Sequence, residues 1–368
     1  MRGRAMAAPG ADGRPKGRYE PALDGLRGLA VLVVVVTHAI PNLPTYGGLG
    51  VNIFFVLSGY LITRLLVVEM DRTGTINLGR FYLQRALRLM PPFWAMLLIF
   101  LPFILAGHHR IAQLQSWALA ATYLMNFNAA FGWTSVYAFT HTWSLAAQEQ
   151  FYLLWPLALL LGARYRPRLT LAALLVFAML WRFYLYADGA SVDRIYYAPD
   201  TNSDAILVGC LLAFTSISAI WVRRLAASWP AWLLAGAGAI IFCERLPDIP
   251  QYVAEASLVS LLAALIIVAA PASSLGTLLS AEPLRFLGKI SYGLYLWHLP
   301  LIVFFGARWH LSGWQMLFPI ACALVLATIS YFTIEAWARR LKRGLKREGP
   351  GTGLGVEIGY APQGVTPP

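Results

Sequence analysis

The sequence predicts an all-α fold, a polytopic transmembrane helical bundle of about ten spans with both termini cytoplasmic. Three observations predict it: the solvent that the composition demands, the length of the apolar blocks, and the side of those blocks on which the basic residues fall. Of 368 residues, 58% are hydrophobic and only 12% charged, where soluble domains carry about 25% charged residues. Such a chain needs lipid as its solvent. Its apolar residues fall in blocks of about 17 to 22, the length a helix needs to cross a roughly 30 Å hydrocarbon core. The basic residues gather at alternate ends of these blocks, as topology signals do.

Taken in order, the blocks place spans over residues 22–40, 47–68, 88–106, 145–163, 169–187, 203–221, 230–246, 254–270, 287–306 and 315–337. With the N-terminus inside, Arg2, Arg4, Arg14, Lys16 and Arg18 are cytoplasmic, as are Arg64, Arg72, Arg80, Arg85 and Arg88. Arg164, Arg166, Arg168, Arg223, Arg224, Arg285 and Lys289 fall on the same side, and so does the basic run from Arg339 to Arg347. Only Arg110, Arg182, Arg194, Arg245 and Arg308 fall toward the outside. Residues 113–131 are apolar but would break this asymmetry if they spanned. They are expected to be re-entrant or interfacial on the outer side, which protein cover makes tolerable.

The net charge of +12 lies at span ends and forms no aromatic-interleaved basic patch, which argues against nucleic acid as a partner. Cys210, Cys243 and Cys322 are three cysteines at unrelated spacings without a CxxC. They give neither a disulfide framework nor a metal site, and no metal is expected. The first block runs to Ile40 without a small-residue cleavage site and more spans follow, so it is expected to remain as a span. Residues 1–18 read as a disordered cytoplasmic tail, 19–340 as one membrane domain, and 341–368 as a basic and then Gly/Pro-rich disordered tail.

Ionisable groups inside lipid are functional candidates by default. The first span carries Asp24, Arg27 and His38. Eleven residues at 100° close to within about 20° of three turns, so Arg27 and His38 share a face, about 16 Å apart in depth. Snorkelling to the inner interface also accounts for Arg27, an interfacial helix end for His38, and the helix dipole for Asp24. Arg85 and Arg88 share a helix face at the cytoplasmic side, where two guanidiniums clamp phosphate or simply anchor the helix. In the fourth span Ser144 suits an N-cap and Glu149 an early turn. Glu149 at the depth of His38 would orient the imidazole and make its other nitrogen a better base. Asp204 opens the sixth span on the outer side. His298 lies within the ninth, where a packing role is the plainer alternative, and Glu335 ends the last beside basic residues that suit an ion pair. In residues 47–62, Gly47, Gly48, Gly50, Ser58 and Gly59 permit close helix approach. No P-loop, HExxH, Rossmann glycine pattern or GxSxG elbow is present.

The blocks LDGLRGLAVLVVVVTHA, GGLGVNIFFVLSGYLI, RALR, WSLAAQEQFYLLWP, SDAILVGCLLA and ISYGLYLWHLP, in this order over roughly 19–340, resemble the acyltransferase 3 family of membrane O-acyltransferases. The resemblance implies that Arg27 and His38 are the functional pair of the first span, that Arg85 and Arg88 are the family's cytoplasmic RxxR, and that Glu149 is its WSLxxE carboxylate. Two departures are visible. Thr201, Asn202 and Ser203 stand where many members carry an arginine before the residue matching Asp204, and Gly293 replaces a commoner serine. Some relatives carry an SGNH hydrolase-like domain, for which this length leaves no room, so an acceptor is expected to meet the membrane domain or a partner.

The expectation is an O-acyltransferase of the inner (cytoplasmic) membrane with no tightly bound cofactor. Arg85 and Arg88 hold the phosphates of acyl-CoA, acetyl-CoA in the simplest case, and Arg27 lines the path of its pantetheine arm. His38, oriented by Glu149, takes the proton from a hydroxyl of an extracytoplasmic carbohydrate, with a covalent acyl-His step left open. Asp24, Ser144, Asp204 and His298 stand as structural or acceptor-side candidates. The partners expected are the lipid bilayer, the acyl-CoA donor and a carbohydrate or glycoside acceptor. A homo-oligomer or glycan-assembly partners also fit. A small glycoside such as a macrolide is the alternative acceptor. The alternatives of another class are an ion- or proton-coupled transporter and a non-catalytic glycan-export component. The first lacks inverted repeats and paired broken helices, and the second gives no reason to bury Arg27, His38 and Glu149.

Overall fold

The computed structural model describes residues 19–40, 47–107, 109–135, 138–163, 165–243, 245, 248–309, 311 and 313–347. The tail expected over 1–18 and the Gly/Pro-rich remainder from 348 lie outside the described residues. Among the described residues there is no strand. The helices are α1 (Pro21–Ala39), α2 (Gly47–Thr73), α3 (Leu78–Ala106), α4 (Arg110–Ala121), α5 (Met125–Phe131), α6 (Thr142–Ala158), α7 (Pro167–Ala187) and α8 (Val192–Tyr197). They continue as α9 (Asp204–Phe214), α10 (Ala219–Ala227), α11 (Trp229–Cys243), α12 (Asp248–Ala269), α13 (Ser274–Leu279), α14 (Glu282–Trp309), α15 (Leu317–Phe332) and α16 (Ile334–Arg347). The basic stretch after residue 340 continues α16 as far as Arg347.

The expected spans overlap helices, but 203–221 covers two, α9 and the start of α10, separated by the non-helical residues 215–218. Six runs are long and apolar enough to cross a membrane: α1, α2, α3, α7, α12 and the α15–α16 run. The α10–α11 pair, bent by 68°, would make a seventh. The helices outside this set are informative. α6 has 17 residues and carries Glu149, α9 has 11 and opens on Asp204, and α14 has 28 and carries Lys289, Ser291 and His298. Polar groups inside a bundle lower the hydropathy of the helices that present them. Residues 113–131 form parts of α4 and α5, 12 and 7 residues long, which break at Tyr123 with φ 55°. Both are too short to span. Protein ties them down: the Trp117 indole donates to Leu97 O at 2.9 Å, and Gln150 bonds Tyr123 O and the side chain of buried Asn126.

α1 runs parallel to α14. Gly28 faces Leu284 and Gly288, Gly288 faces Asp24, and further along the same two helices His38 meets His298. A Cβ on Gly288 would lie 1.8 Å from Asp24 O, and one on Gly25 1.7 Å from Leu279 O of α13. Glycine is therefore the residue that lets these backbones touch. α2 crosses α9 in the same way, Gly59 against Ile206 and Gly209 against Val56, and Gly50 lets α2 approach Ala30 of α1. Two of the glycines singled out in residues 47–62, Gly50 and Gly59, are thus at helix contacts. Phe55, Phe93, Phe139 and Trp297 fill the core between these helices.

At the end of α7 opposite the arginine-rich face, a polar latch holds the 198–204 turn. Arg182 Nε donates to Thr201 O at 2.7 Å, Nη2 donates to the same oxygen, and Nη2 meets Asp204 Oδ1 at 2.8 Å. The partly exposed Asp200 receives Arg194 at 2.6 Å and the Trp181 indole at 2.8 Å. Burial pushes the Asp200 carboxyl up, but these donors outweigh it and hold the group below its ordinary range.

Candidate active site

Two layers of polar side chains face each other along α1, α6 and α14. The first is a layer of three histidines. His38 ends α1 as an exposed side chain whose Nδ1 lies 2.8 Å from Val34 O. A carbonyl oxygen only accepts, so Nδ1 carries the proton and Nε2 presents its lone pair. His298 of α14, fully buried, makes the equivalent bond from Nδ1 to Tyr295 O at 2.7 Å, which leaves its Nε2 without a partner. The His38 and His298 rings are 5.2 Å apart between centroids, and His141, just ahead of α6, stands 5.2 Å from His298. The Tyr295 hydroxyl donates to the His141 carbonyl at 2.7 Å, so the 2.7 Å contact between Ser144 Oγ and Tyr295 has the serine as donor.

The second layer is cationic. Arg27, Arg85 and Arg88 line one pocket with Ser58, Ser144, Gln148, Tyr152, Ser291, Tyr292 and Tyr295. The remaining wall is apolar and includes Val51, Phe54, Leu57, Leu61 and Ile62. Arg85 stacks on the Tyr152 ring at 3.7 Å, and its Nη2 lies 3.7 Å from Glu149 Oε1. Its Nε has no hydrogen-bond partner. Glu335 of α16 pairs with Arg339 at 3.7 Å and lies in the field of Arg88 and Arg27. The pocket therefore runs from three guanidiniums at one end to the Ser144–Tyr295 pair, which abuts the histidines, at the other.

This arrangement corrects two expectations. Glu149 does not orient His38; it pairs with Arg85. The reason is depth: Glu149 lies eight residues, about 12 Å of helix rise, beyond His141, and so reaches the arginine layer. The orienting acceptor of His38 is the carbonyl of Val34, one turn back on its own helix. Nor does Ser144 cap its helix. α6 begins at Thr142 with His141 at the N-cap and no side-chain cap bond. Asp204 is held by Arg182 of α7. Asp24, in the first turn of α1, is buried and accepts the Tyr19 hydroxyl at 2.6 Å. His298 joins His38 instead of packing apart from it.

His141, Tyr295, Ser291 and Arg182 were not singled out as site residues. α14 did carry a signal for two of them. Ser291, Tyr295 and His298 lie four and seven positions apart, 400° and 700°, and so form one stripe about 60° wide. Among the described residues no group of three or more His, Cys, Asp or Glu is arranged to hold a metal ion.

A family model described as an acyltransferase domain matches residues 20–334. The chain belongs to the acyltransferase 3 family. It is 31% identical over 354 residues to the peptidoglycan O-acetyltransferase OatA of Listeria monocytogenes, covering 88% of this chain and 56% of that protein. It is 32% identical over 364 residues to the O-acetyltransferase OatA of Staphylococcus aureus, covering 89% of this chain and 58% of that protein. The chain thus spans rather more than half the length of these curated relatives. No solved structure matches it.

Proposed function

We propose that this chain moves an acetyl group from cytoplasmic acetyl-CoA to a hydroxyl of an extracytoplasmic cell-wall carbohydrate, with peptidoglycan the acceptor its relatives' names favour. The observation that carries the proposal is a pocket lined by three guanidiniums and by Tyr295, whose ring stands beside His141 and His298 at 5.3 and 5.5 Å between centroids. Arg27, Arg85 and Arg88 suit the phosphates of the donor, since guanidinium forks match phosphate oxygens. Glu149 acts on Arg85, holding its guanidinium flat over Tyr152. The thioester end of the donor lies toward Tyr295 and His38.

The chemistry follows from the tautomer. His38 Nε2 takes the proton of the acceptor hydroxyl as its oxygen attacks the thioester carbon. The carbon–sulfur bond then breaks, and the proton passes from Nε2 to the departing thiolate, giving an ester and CoA thiol. His38 is thereby returned to the neutral tautomer in which Nδ1–H donates to Val34 O and Nε2 carries the lone pair. The setting is the inner (cytoplasmic) membrane, where donor and acceptor are on opposite sides.

The test uses the full chain in nanodiscs with acetyl-CoA and a soluble glycan. The wild type is expected to release thiol and form glycan ester, whereas a transporter frees no thiol. His38→Ala is expected to lose about 10²- to 10⁴-fold in rate, the range a positioned general base contributes, while remaining monodisperse. Near-normal esterification by that variant overturns the assignment.

A further inference from the structure

Ser291 is fully buried in α14, and its hydroxyl has no hydrogen-bond partner. A buried serine in a helix usually bonds back to a carbonyl one turn earlier. This one does not, and it lines the pocket that holds Arg27, Arg85 and Arg88. An unsatisfied buried hydroxyl is costly, and a ligand's polar group can recover that cost. In the same pocket Gln148 Nε2 donates to Ser58 Oγ. By helix rise Ser291 lies about 6 Å before Tyr295 and about 10.5 Å before His298 on the same face. The Ser291 hydroxyl therefore sits on the arginine side of Tyr295, between the cationic end and the histidines.

We infer that Ser291, in the pocket it shares with the Ser58–Gln148 pair, is a binding site for the secondary amides of a pantetheine arm. The inference rests on the donor assignment above and adds what reads the middle of that donor. The ligand must be slim and largely methylene, with an anionic head at the arginines and a reactive end at the histidines. Between them it must carry a group that both donates and accepts. Secondary amides separated by short methylene runs meet that description, and an alkyl chain of equal length does not. Ser291 Oγ serves either an amide N–H or an amide carbonyl, because its proton is uncommitted.

The test compares three donors on the full chain in nanodiscs: acetyl-CoA, acetyl-pantetheine, which lacks the nucleotide phosphates, and S-ethyl thioacetate, which lacks phosphates and amides. Ser291→Ala is expected to lower kcat/KM about 3- to 10-fold with acetyl-CoA and acetyl-pantetheine alike, the worth of one neutral hydrogen bond. It should leave S-ethyl thioacetate unchanged. Arg88→Ala should weaken acetyl-CoA alone. S-methylpantetheine, an unreactive competitor, gives the same comparison without turnover, and its inhibition constant should rise by the same factor in Ser291→Ala. An equal loss with S-ethyl thioacetate makes Ser291 a packing residue and overturns the inference. So does a Ser291→Ala protein that matches the wild type with every donor. A wild type that turns over neither acetyl-CoA nor acetyl-pantetheine overturns the donor assignment itself, and the inference with it.

Discussion

Only 4% of the Arg182 side chain and 5% of the Asp204 side chain are accessible. Such a pair stands because Asp204 and the Thr201 carbonyl together saturate the guanidinium fork. Removing one partner strands a buried cation, which costs about 3–5 kcal/mol where pairs of this kind have been broken. Asp204→Asn is therefore expected to lower the detergent melting temperature sharply, or to leave little folded protein. The fraction that folds should keep its KM for the glycan, because the role is to hold the 198–204 turn. A raised acceptor KM with unchanged melting would make Asp204 an acceptor contact instead. The sequence exposed Asp204 as a costly charge but hid its partner, 22 residues earlier on another helix. Glu149 was legible in the same incomplete way. Its residue type and motif marked it, and only the register of α6 against α3 decides whether it meets Arg85 or His38.

The helices themselves were the legible part, because lipid forces every backbone group to be satisfied within its own segment. Apolar block length alone located most of the long helices, but it ran 203–221 across the break at 215–218 between α9 and α10. What block length does not show is which helices touch, and here backbone contact at glycine decides. α1 and α14 bring His38 and His298 together because Gly28 and Gly288 let the two backbones meet two to three turns earlier. Gly288→Ala puts a Cβ 1.8 Å from the Asp24 carbonyl, and neither backbone can yield as a flexible side chain would. Overpacking of this kind costs about 1–3 kcal/mol or more. The variant is expected to lose transfer activity and thermal stability together. Gly238→Ala in α11, which meets nothing within 4 Å, is the matched control and should change neither. A Gly288→Ala protein with full activity would show that α1 and α14 part freely, and that the histidine layer does not depend on their contact.

At the scale of the molecule the two polar layers lie at different depths. Arg27, Arg85 and Arg88 line one end of the pocket, and Glu335 brings Arg339 of the basic helix α16 to the same end. His38, His141 and His298 lie toward the other, beyond Tyr295. The asymmetry of Lys and Arg predicts that the arginine end faces the cytoplasm, and on that orientation the proposed donor and acceptor should be usable only from opposite sides. Sealed vesicles make this measurable. Inside-out vesicles with a trapped glycan and labelled acetyl-CoA added outside are expected to accumulate labelled ester on the trapped glycan. Right-side-out vesicles should do so only when acetyl-CoA is loaded within and the glycan supplied outside. His38→Ala vesicles give the background, because they keep the arginine end and lose the base. Ester formed with donor and acceptor on one side, at the same rate as across the membrane, would separate the chemistry from any crossing. The pocket would then be a one-sided site, with the histidine layer open to the cytoplasm.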